Sequence, residues 1–225
     1  MKFFDLLQEQ TAAARQQLLD VPLIKRGARG ALTLDEYTAF LSQAYHHVKH
    51  TVPLMMACGS RLDESKEWLR VALAEYIEEE TGHQEWILND ITACGGDAET
   101  VRRSRPLLST ELMVAYAYDT IARGNPLGFF GMVHVLEGTS IQLADSAAGA
   151  IAESLQLPES AFSYLRSHGA LDIDHVEFFE GLMNRIDDPG DQQAIIHSAR
   201  VIYRLYGDIF REVDSQVAPA QAEVA

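Results

Sequence analysis

The chain is organised around the stretch His168-Gly169-Ala170-Leu171-Asp172-Ile173-Asp174-His175. On a helix with 100° per residue, Asp172 lies about 40° from His168, and His175 lies about 20° on the other side. Two imidazoles and one carboxylate therefore share one helix face. The two histidines start about 10 Å apart along the axis, which suits two metal ions held by a central carboxylate better than one small ion.

Such a motif needs partner ligands from other helices, and two stretches provide candidates. Glu80-Thr81-Gly82-His83 is a Glu-x-x-His pair, the arrangement that helical bundles use to present oxygen and nitrogen ligands to a di-iron centre. Glu79 lies about 40° from His83 on the opposite side from Glu80, so either glutamate can join this histidine. Glu137 follows the apolar run 129–136, where an isolated charge would be costly. The candidate site therefore contains three histidines and three carboxylates.

Apolar residues recur at helical spacing along most of the chain, which predicts an all-α protein. Thr33 and Glu36 form a capping-box pattern that opens a helix running to about Leu62, with a bend at Pro53. The remaining predicted long helices span 3–19, 66–93, 109–124, 126–156, a segment from 157 that carries the motif, and 191–214. The helix over 126–156 is rich in Gly and Ala, as a central bundle helix requires. Gly169 predicts a break or a close backbone approach.

Four further polar residues are candidate helpers, and for His134 the alternative of a further ligand stays open. Tyr76 is nearly in line with His83, one heptad earlier, and His134 lies three residues before Glu137. His46 and His50 are at i, i+4, which would suit zinc, but no local carboxylate or thiolate accompanies them. The alternative interpretation is that all of these histidines and acids are satisfied polar groups of a bundle core.

Length and composition narrow the function classes. The 225 residues fit one domain, which we expect over 1–214, with a disordered tail at 215–225. A net charge of −15 argues against a nucleic-acid or membrane partner. The amino terminus lacks the apolar run that is typical of a signal peptide, so we expect a cytoplasmic protein. Cys58 and Cys94, the two cysteines, are expected to be reduced and structural.

With its Glu-x-x-His pair, lone Glu137 and His-x-x-x-Asp-x-x-His motif on successive helices, the chain resembles the haem-oxygenase-like di-iron oxidases and oxygenases. These belong to the same superfamily as TenA proteins and pyrroloquinoline quinone synthase. The resemblance runs from the first helix to about residue 214 and implies a bundle of about seven helices. It also implies a non-haem oxidoreductase whose ligands to two irons are Glu80, His83, Glu137, His168, Asp172 and His175.

The same resemblance implies O2 as cosubstrate and a small organic substrate, such as an amino acid, an amine, a fatty acid or a phenolic precursor. An external electron donor and a homodimer would be in keeping with it. In some relatives the first Glu precedes the His by seven residues, where this chain has Tyr76, so Glu79 remains an alternative to Glu80. Two other functions stay open, a metal-free enzyme of the TenA or quinone-synthase kind and a regulatory protein that binds a small molecule.

Overall fold

The computed structural model describes residues 1–217, with the side chains of 140–146 and 168–176 left out of the description. Residues 1–217 are helical and contain no strand, which confirms the all-α prediction. Eleven α-helices follow one another in this part of the chain: α1 (Phe3–Leu19), α2 (Pro22–Gly27), α3 (Leu34–Val48), α4 (Thr51–Arg61), α5 (Glu67–Glu80), α6 (His83–Ala93), α7 (Ala98–Arg103), α8 (Leu108–Arg123), α9 (Phe129–Leu155), α10 (Ser163–Met183) and α11 (Pro189–Val217).

Two of the predicted long helices are each divided in two. The helix expected to bend at Pro53 instead separates into α3 and α4 at Lys49 and His50, and Pro53 lies in the first turn of α4. A proline is tolerated there because the first helical amides have no intrahelical acceptor. The helix expected over 66–93 is interrupted by Thr81 and Gly82, and Gly82 has φ 99°, in the left-handed region that favours glycine.

Helix α9 is the central element of the bundle and packs along α10 and α11. Gly131 allows α11 to approach α9 closely, because a Cβ atom at this position would lie 2.6 Å from Ala199 N and 2.6 Å from Ile195 O. The loop before α3 also approaches α9, at Gly30 with φ 66°. The small residues of α9 thus permit close helix contact, as their sequence pattern predicts.

Side-chain caps fix where several helices begin. Thr33 and Glu36 form the predicted capping box at the start of α3. The start of α10 is capped from another helix, because the buried Asp90 carboxylate of α6 accepts hydrogen bonds from Ser163 N (3.0 Å) and Tyr164 N (2.9 Å). A tertiary contact therefore determines where the helix that carries the motif begins.

The structure differs from two expectations, one about a break at Gly169 and one about where the last helix ends. Helix α10 continues through Gly169, so the predicted break does not occur there. Helix α11 extends to Val217, so residues 215–217 of the expected disordered tail are helical because they prolong the last turn of α11. The rest of that tail lies outside the described residues. None of the described helices combines the length and apolar character needed to cross a membrane.

Candidate active site

A cavity of about 160 Å³ lies beside the central helix and is open to solvent on one side. Its walls come from α2, α3, α4, α5, α9, α10 and α11. Most of the described lining is apolar and includes Leu23, Leu32, Phe40, Met55, Phe129 and Met132. The polar lining residues include Glu80, Glu137, His47, Thr51 and Thr139. Apolar walls with a few polar groups are typical of a small-molecule site.

Glu80 and His83 meet across the break between α5 and α6. Glu80 is the last residue of α5 and His83 the first residue of α6, so the pair is not carried by one continuous helix. The side chains still approach each other, with His83 Nδ1 3.0 Å from Glu80 Oε2, and both are buried. The Trp86 ring stacks on the His83 ring with centroids 3.9 Å apart, which restricts the orientation of the imidazole.

Glu137 and Tyr76 form a second polar pair. Glu137 is half-buried on α9 and lines the cavity, whereas Tyr76 is buried on α5. Burial raises the pKa of the Tyr76 phenol, and the adjacent Glu137 carboxylate raises this pKa further through its charge and a hydrogen bond. The phenol is therefore protonated and donates to Glu137. Phe178 packs against the Tyr76 ring at a centroid distance of 5.3 Å.

The two neighbouring glutamates of α5 have different surroundings. Glu80 is 9% exposed and lines the cavity, whereas the Glu79 side chain is exposed to solvent. Adjacent residues of a helix point about 100° apart, so the two side chains of α5 face different surroundings. The structure therefore brings Glu80, rather than Glu79, to the cavity wall beside His83.

The three motif residues His168, Asp172 and His175 have side chains outside the described set. Their positions lie in α10, which packs along α9, the helix that carries Glu137. Among the side chains that are described, no group of three or more His, Cys, Asp or Glu is close enough to hold a metal ion. Half of the six-residue ligand set is thus described here, as the Glu80–His83 pair and Glu137.

The other candidate histidines do not line the cavity. His46 Nε2 lies 2.9 Å from Ser104 Oγ, and His50 Nδ1 lies 3.1 Å from Tyr118 OH. His134 Nε2 lies 3.3 Å from Thr11 Oγ1 within the core. Burial lowers the pKa of both His46 and His134 to about 4, so both imidazoles are neutral near pH 7.

His47, which the sequence analysis did not single out, does line the cavity. It is 2% exposed, and its ring meets the Tyr206 ring edge-on at 5.8 Å between centroids. A signal for this placement exists in the sequence, because His47 follows Phe40 by one heptad and Phe40 also lines the cavity. The i, i+4 spacing of His46 and His50 drew attention away from His47, and in the structure His50 lies beyond the end of α3, at the start of α4.

Neither cysteine is positioned to act as a nucleophile in the described cavity. Cys58 and Cys94 are both buried, and neither belongs to the described lining of the cavity. Burial raises the pKa of Cys58 to about 12 and that of Cys94 to about 11. Both thiols are therefore protonated near pH 7, which agrees with the structural role expected for them.

Comparison with solved structures identifies the class of fold as haem-oxygenase-like. A domain of unknown function with this fold from Shewanella denitrificans OS217 is 24% identical, with a TM-score of 0.86 over 96% of this chain and 93% of that chain. A TenA homologue from P. horikoshii OT3 is 11% identical, with a TM-score of 0.79 over 95% and 98%. Haem oxygenase-1 from Synechocystis sp. PCC6803, solved with haem, is 11% identical, with a TM-score of 0.75 over 96% and 94%.

The family of the chain is identified by comparing its sequence with models of known protein families. Residues 38–207 match the model of the iron-containing redox enzymes, and the chain belongs to this family. A comparison with curated proteins finds no match.

Proposed function

We propose that this protein is an O2-dependent non-haem di-iron oxidase or oxygenase that acts on a small organic substrate. The observation that carries the proposal is the placement of Glu80 and Glu137, with His83 beside Glu80, at the wall of an apolar cavity. The proposed remaining ligands, His168, Asp172 and His175, belong to α10, which packs along the helix that carries Glu137. Membership of the iron-containing redox enzymes supports iron as the metal.

The chemistry of the proposed ligands fits such a centre. Three carboxylates and three imidazoles are ligands that suit iron, and two ferrous ions would nearly balance the charge of three ionised carboxylates. Near neutrality matters because Glu80 and His83 are buried and an uncompensated buried charge is costly. When bound, the two irons would supply the electrons that activate O2.

The residues around these ligands have their own roles. The Tyr76 phenol holds its proton and donates to Glu137, which orients that carboxylate as the outer partners of metal ligands do. Trp86 restricts the His83 ring through the stacking contact. Apolar side chains such as Met132 and Phe129 leave few polar groups on the cavity wall, so a substrate beside the proposed ligands would lie in largely apolar surroundings.

The likeness to TenA homologues supports a second candidate, a metal-free enzyme or a regulatory protein that binds a small molecule. The cavity would serve either role. A TenA-type enzyme that relies on a cysteine nucleophile is not favoured here, because Cys58 and Cys94 are buried thiols with raised pKa values and do not line the described cavity.

The deciding experiment is iron stoichiometry after anaerobic reconstitution of the full chain with Fe(II), followed by the optical change on mixing with O2. We expect about two irons per chain for the wild type and a loss of at least about half of this iron in Glu80→Gln and Glu137→Ala. Glu79→Gln is the matched control, because Glu79 is the exposed neighbour of Glu80, and it should retain the iron.

Two results would contradict the proposal. One is iron at background level in the wild-type chain, and the other is equal iron content in the wild type and Glu137→Ala. Loss of iron in Glu79→Gln but not in Glu80→Gln would keep the di-iron proposal and reverse the assignment of this ligand. Ligand binding or turnover that survives a strong chelator would favour the metal-free candidate.

A further inference from the structure

Trp86 links a proposed iron ligand to the protein surface. It lies three residues after His83 on α6, and its ring stacks on the His83 ring with centroids 3.9 Å apart and an angle of 27° between the ring planes. His83 is 3% exposed and has Glu80 at 3.0 Å, whereas Trp86 is half-buried and keeps contact with solvent. Two rings in van der Waals contact therefore lead from the buried Glu80–His83 pair to the exterior.

Tyr76 is the aromatic residue beside another proposed ligand, Glu137, and it is placed differently. Its ring is 1% exposed and packs against Phe178. A reductant in solution cannot reach this ring, because almost none of its surface is accessible. Any electron lost from Tyr76 would therefore have to be replaced through other residues. Of the two aromatic residues, Trp86 is the one that a reductant in solution can reach.

The second tryptophan of the chain, Trp68, provides an internal comparison. It is half-buried like Trp86, but it lies twelve residues before Glu80 on α5, which corresponds to about 18 Å along the helix axis. The Arg185 guanidinium carbon lies 3.9 Å from the centre of the Trp68 ring. Loss of an electron would place a positive charge beside this cation, so the repulsion makes oxidation of Trp68 less favourable. Distance and charge both favour Trp86 as the residue that is oxidised.

The electron balance of O2 reduction gives such a route a purpose. Conversion of one O2 to two waters takes four electrons and four protons, and two ferrous ions, when bound, supply two of these electrons. A substrate that is oxidised in the cavity supplies the other two. In the absence of substrate, the two remaining electrons have to reach the site through the protein.

We propose that Trp86 is an electron relay that delivers single electrons from a reductant in solution to the proposed iron centre, through the stacked His83 ring. One electron leaves the indole toward His83, and the indole radical cation releases its ring N–H proton to water. The reductant then returns one electron and water returns the proton. Trp86 is thus unchanged, and the net transfer is one electron from the reductant to the metal. Since iron is the electron acceptor, this inference rests on the proposed function.

Peptide mapping by mass spectrometry tests this route, because an indole radical that is not reduced reacts with O2 and gains covalently bound oxygen. The full chain is loaded anaerobically with Fe(II) and exposed to O2 without substrate. Trp86 should gain at least about ten times as much oxygen as Trp68. Ascorbate, a one-electron reductant, should suppress this modification, and removal of iron by a chelator before the exposure should abolish it.

A control reaction measures how reactive the two tryptophans are without the proposed centre. Fe(II)–EDTA with hydrogen peroxide forms radicals in solution, which attack side chains according to their exposure. Because Trp86 and Trp68 are both half-buried, this reagent should modify them to similar extents. A preference for Trp86 that appears only in the iron-loaded chain therefore reports on electron transfer rather than on exposure.

Two conservative variants separate electron transfer from packing. Trp86→Phe keeps a ring that can stack on His83 but is much harder to oxidise, and Trp68→Phe is the matched control at the other half-buried tryptophan. Both variants should bind about two irons per chain, like the wild type. The initial rate of ascorbate oxidation under O2 should fall at least about ten-fold in Trp86→Phe and stay unchanged in Trp68→Phe. Far-ultraviolet circular dichroism verifies that each variant is folded.

Three outcomes would overturn the inference: equal modification of Trp86 and Trp68 in the iron-loaded chain, modification of Trp86 that ascorbate does not reduce, or an unchanged rate of ascorbate oxidation in a Trp86→Phe protein that retains its iron. Any of these results with iron retained rejects the electron relay alone. A failed di-iron proposal looks different, since it shows as background iron in the wild-type chain, and the relay would fall with it.

Discussion

His134 and Glu137 lie three residues apart on α9 and face different environments. Glu137 lines the cavity beside Tyr76, whereas His134 is stacked near Phe179 with ring centroids 6.1 Å apart. Helical geometry places the two side chains about 60° apart, which is enough to separate the cavity from the core. The proposed role of His134 as a helper has no contact in the described structure to support it, and its measurable effect should be on stability.

We expect His134 to make the protein less stable in acid. Burial holds its folded-state pKa at about 4, below the unfolded value near 6.5, so the unfolded chain binds a proton in this interval that the folded chain does not. Stability should therefore be complete above about pH 6.5 and fall as the pH decreases toward 4, by up to about 3 kcal/mol. Urea unfolding at a series of pH values measures this loss.

His134→Gln is the informative variant, because it removes the titrating group and should flatten the pH dependence relative to the wild type. His197→Gln, at an exposed position on α11, should leave the slope unchanged. Parallel curves for the wild type and His134→Gln between pH 7 and pH 4 would show that His134 is not the group responsible.

At the scale of helices, contacts between elements decide where the site-bearing segments lie. Asp90 of α6 caps α10, and Gly131 of α9 allows α11 to approach. The break at Gly82 sets the positions of Glu80 and His83. Asp90, Gly131 and Gly82 do not belong to the described lining of the cavity. Each of them nevertheless helps to position a helix that carries a proposed ligand.

Asp90→Ala should destabilise the protein by about 2 kcal/mol, because it leaves two partly buried backbone N–H groups of α10 without their acceptor. Iron affinity should fall with it, since α10 carries three of the proposed ligands. Thermal unfolding and iron titration measure the two effects. Asp97→Ala removes the exposed cap of the short α7 and should cost about 1 kcal/mol with no change in iron affinity.

Gly131→Ala should destabilise the protein by about 1–3 kcal/mol, because the added methyl group would overlap backbone atoms of α11 that cannot move independently of that helix. Gly149→Ala is the control on the same helix. Among the described residues its Cβ would meet nothing within 4 Å, so the higher helix propensity of Ala should stabilise the protein by up to about 1 kcal/mol. Opposite signs in chemical denaturation are expected, and equal effects would contradict the packing argument.

At the scale of the whole molecule, the excess of acidic residues is the dominant electrostatic feature. The chain has 33 Asp and Glu against 18 Lys and Arg, a formal net charge of −15. Part of this charge forms an acidic surface on α5, where Glu75, Glu78 and Glu79 are exposed. Self-repulsion of this kind opposes the compact state and is screened by salt.

Raising NaCl from about 0.02 M to about 0.2 M should therefore raise the thermal midpoint, by about 2–4 °C for each 1 kcal/mol of repulsion removed. The double variant Glu75→Lys/Glu78→Lys changes the net charge from −15 to −11, because each substitution adds two units, and it should show a smaller salt effect. Differential scanning calorimetry measures both midpoints. A salt effect of the same size in the variant would point to a cause other than surface repulsion.

Much of the molecule was predictable from local pattern. The all-α class, the start of α3 at Thr33 and the run of α1 follow from helical periodicity and from a capping box, which involve only residues a few positions apart. Glu80, His83 and Glu137 were singled out in the same way, as polar groups whose type and spacing suit metal, and their role as ligands stays a prediction. The family of iron-containing redox enzymes agrees with that chemistry.

The helical class and the types of residue available for chemistry therefore follow from the amino-acid sequence alone. Three other features depend on helix packing: His47 rather than His46 lines the cavity, Glu80 rather than Glu79 is buried beside His83, and Asp90 caps α10. The physical reason is the separation along the chain between the residues that interact. Periodicity specifies which residues share a helix face, but the cavity, the core or the solvent that meets this face depends on helices distant in the chain.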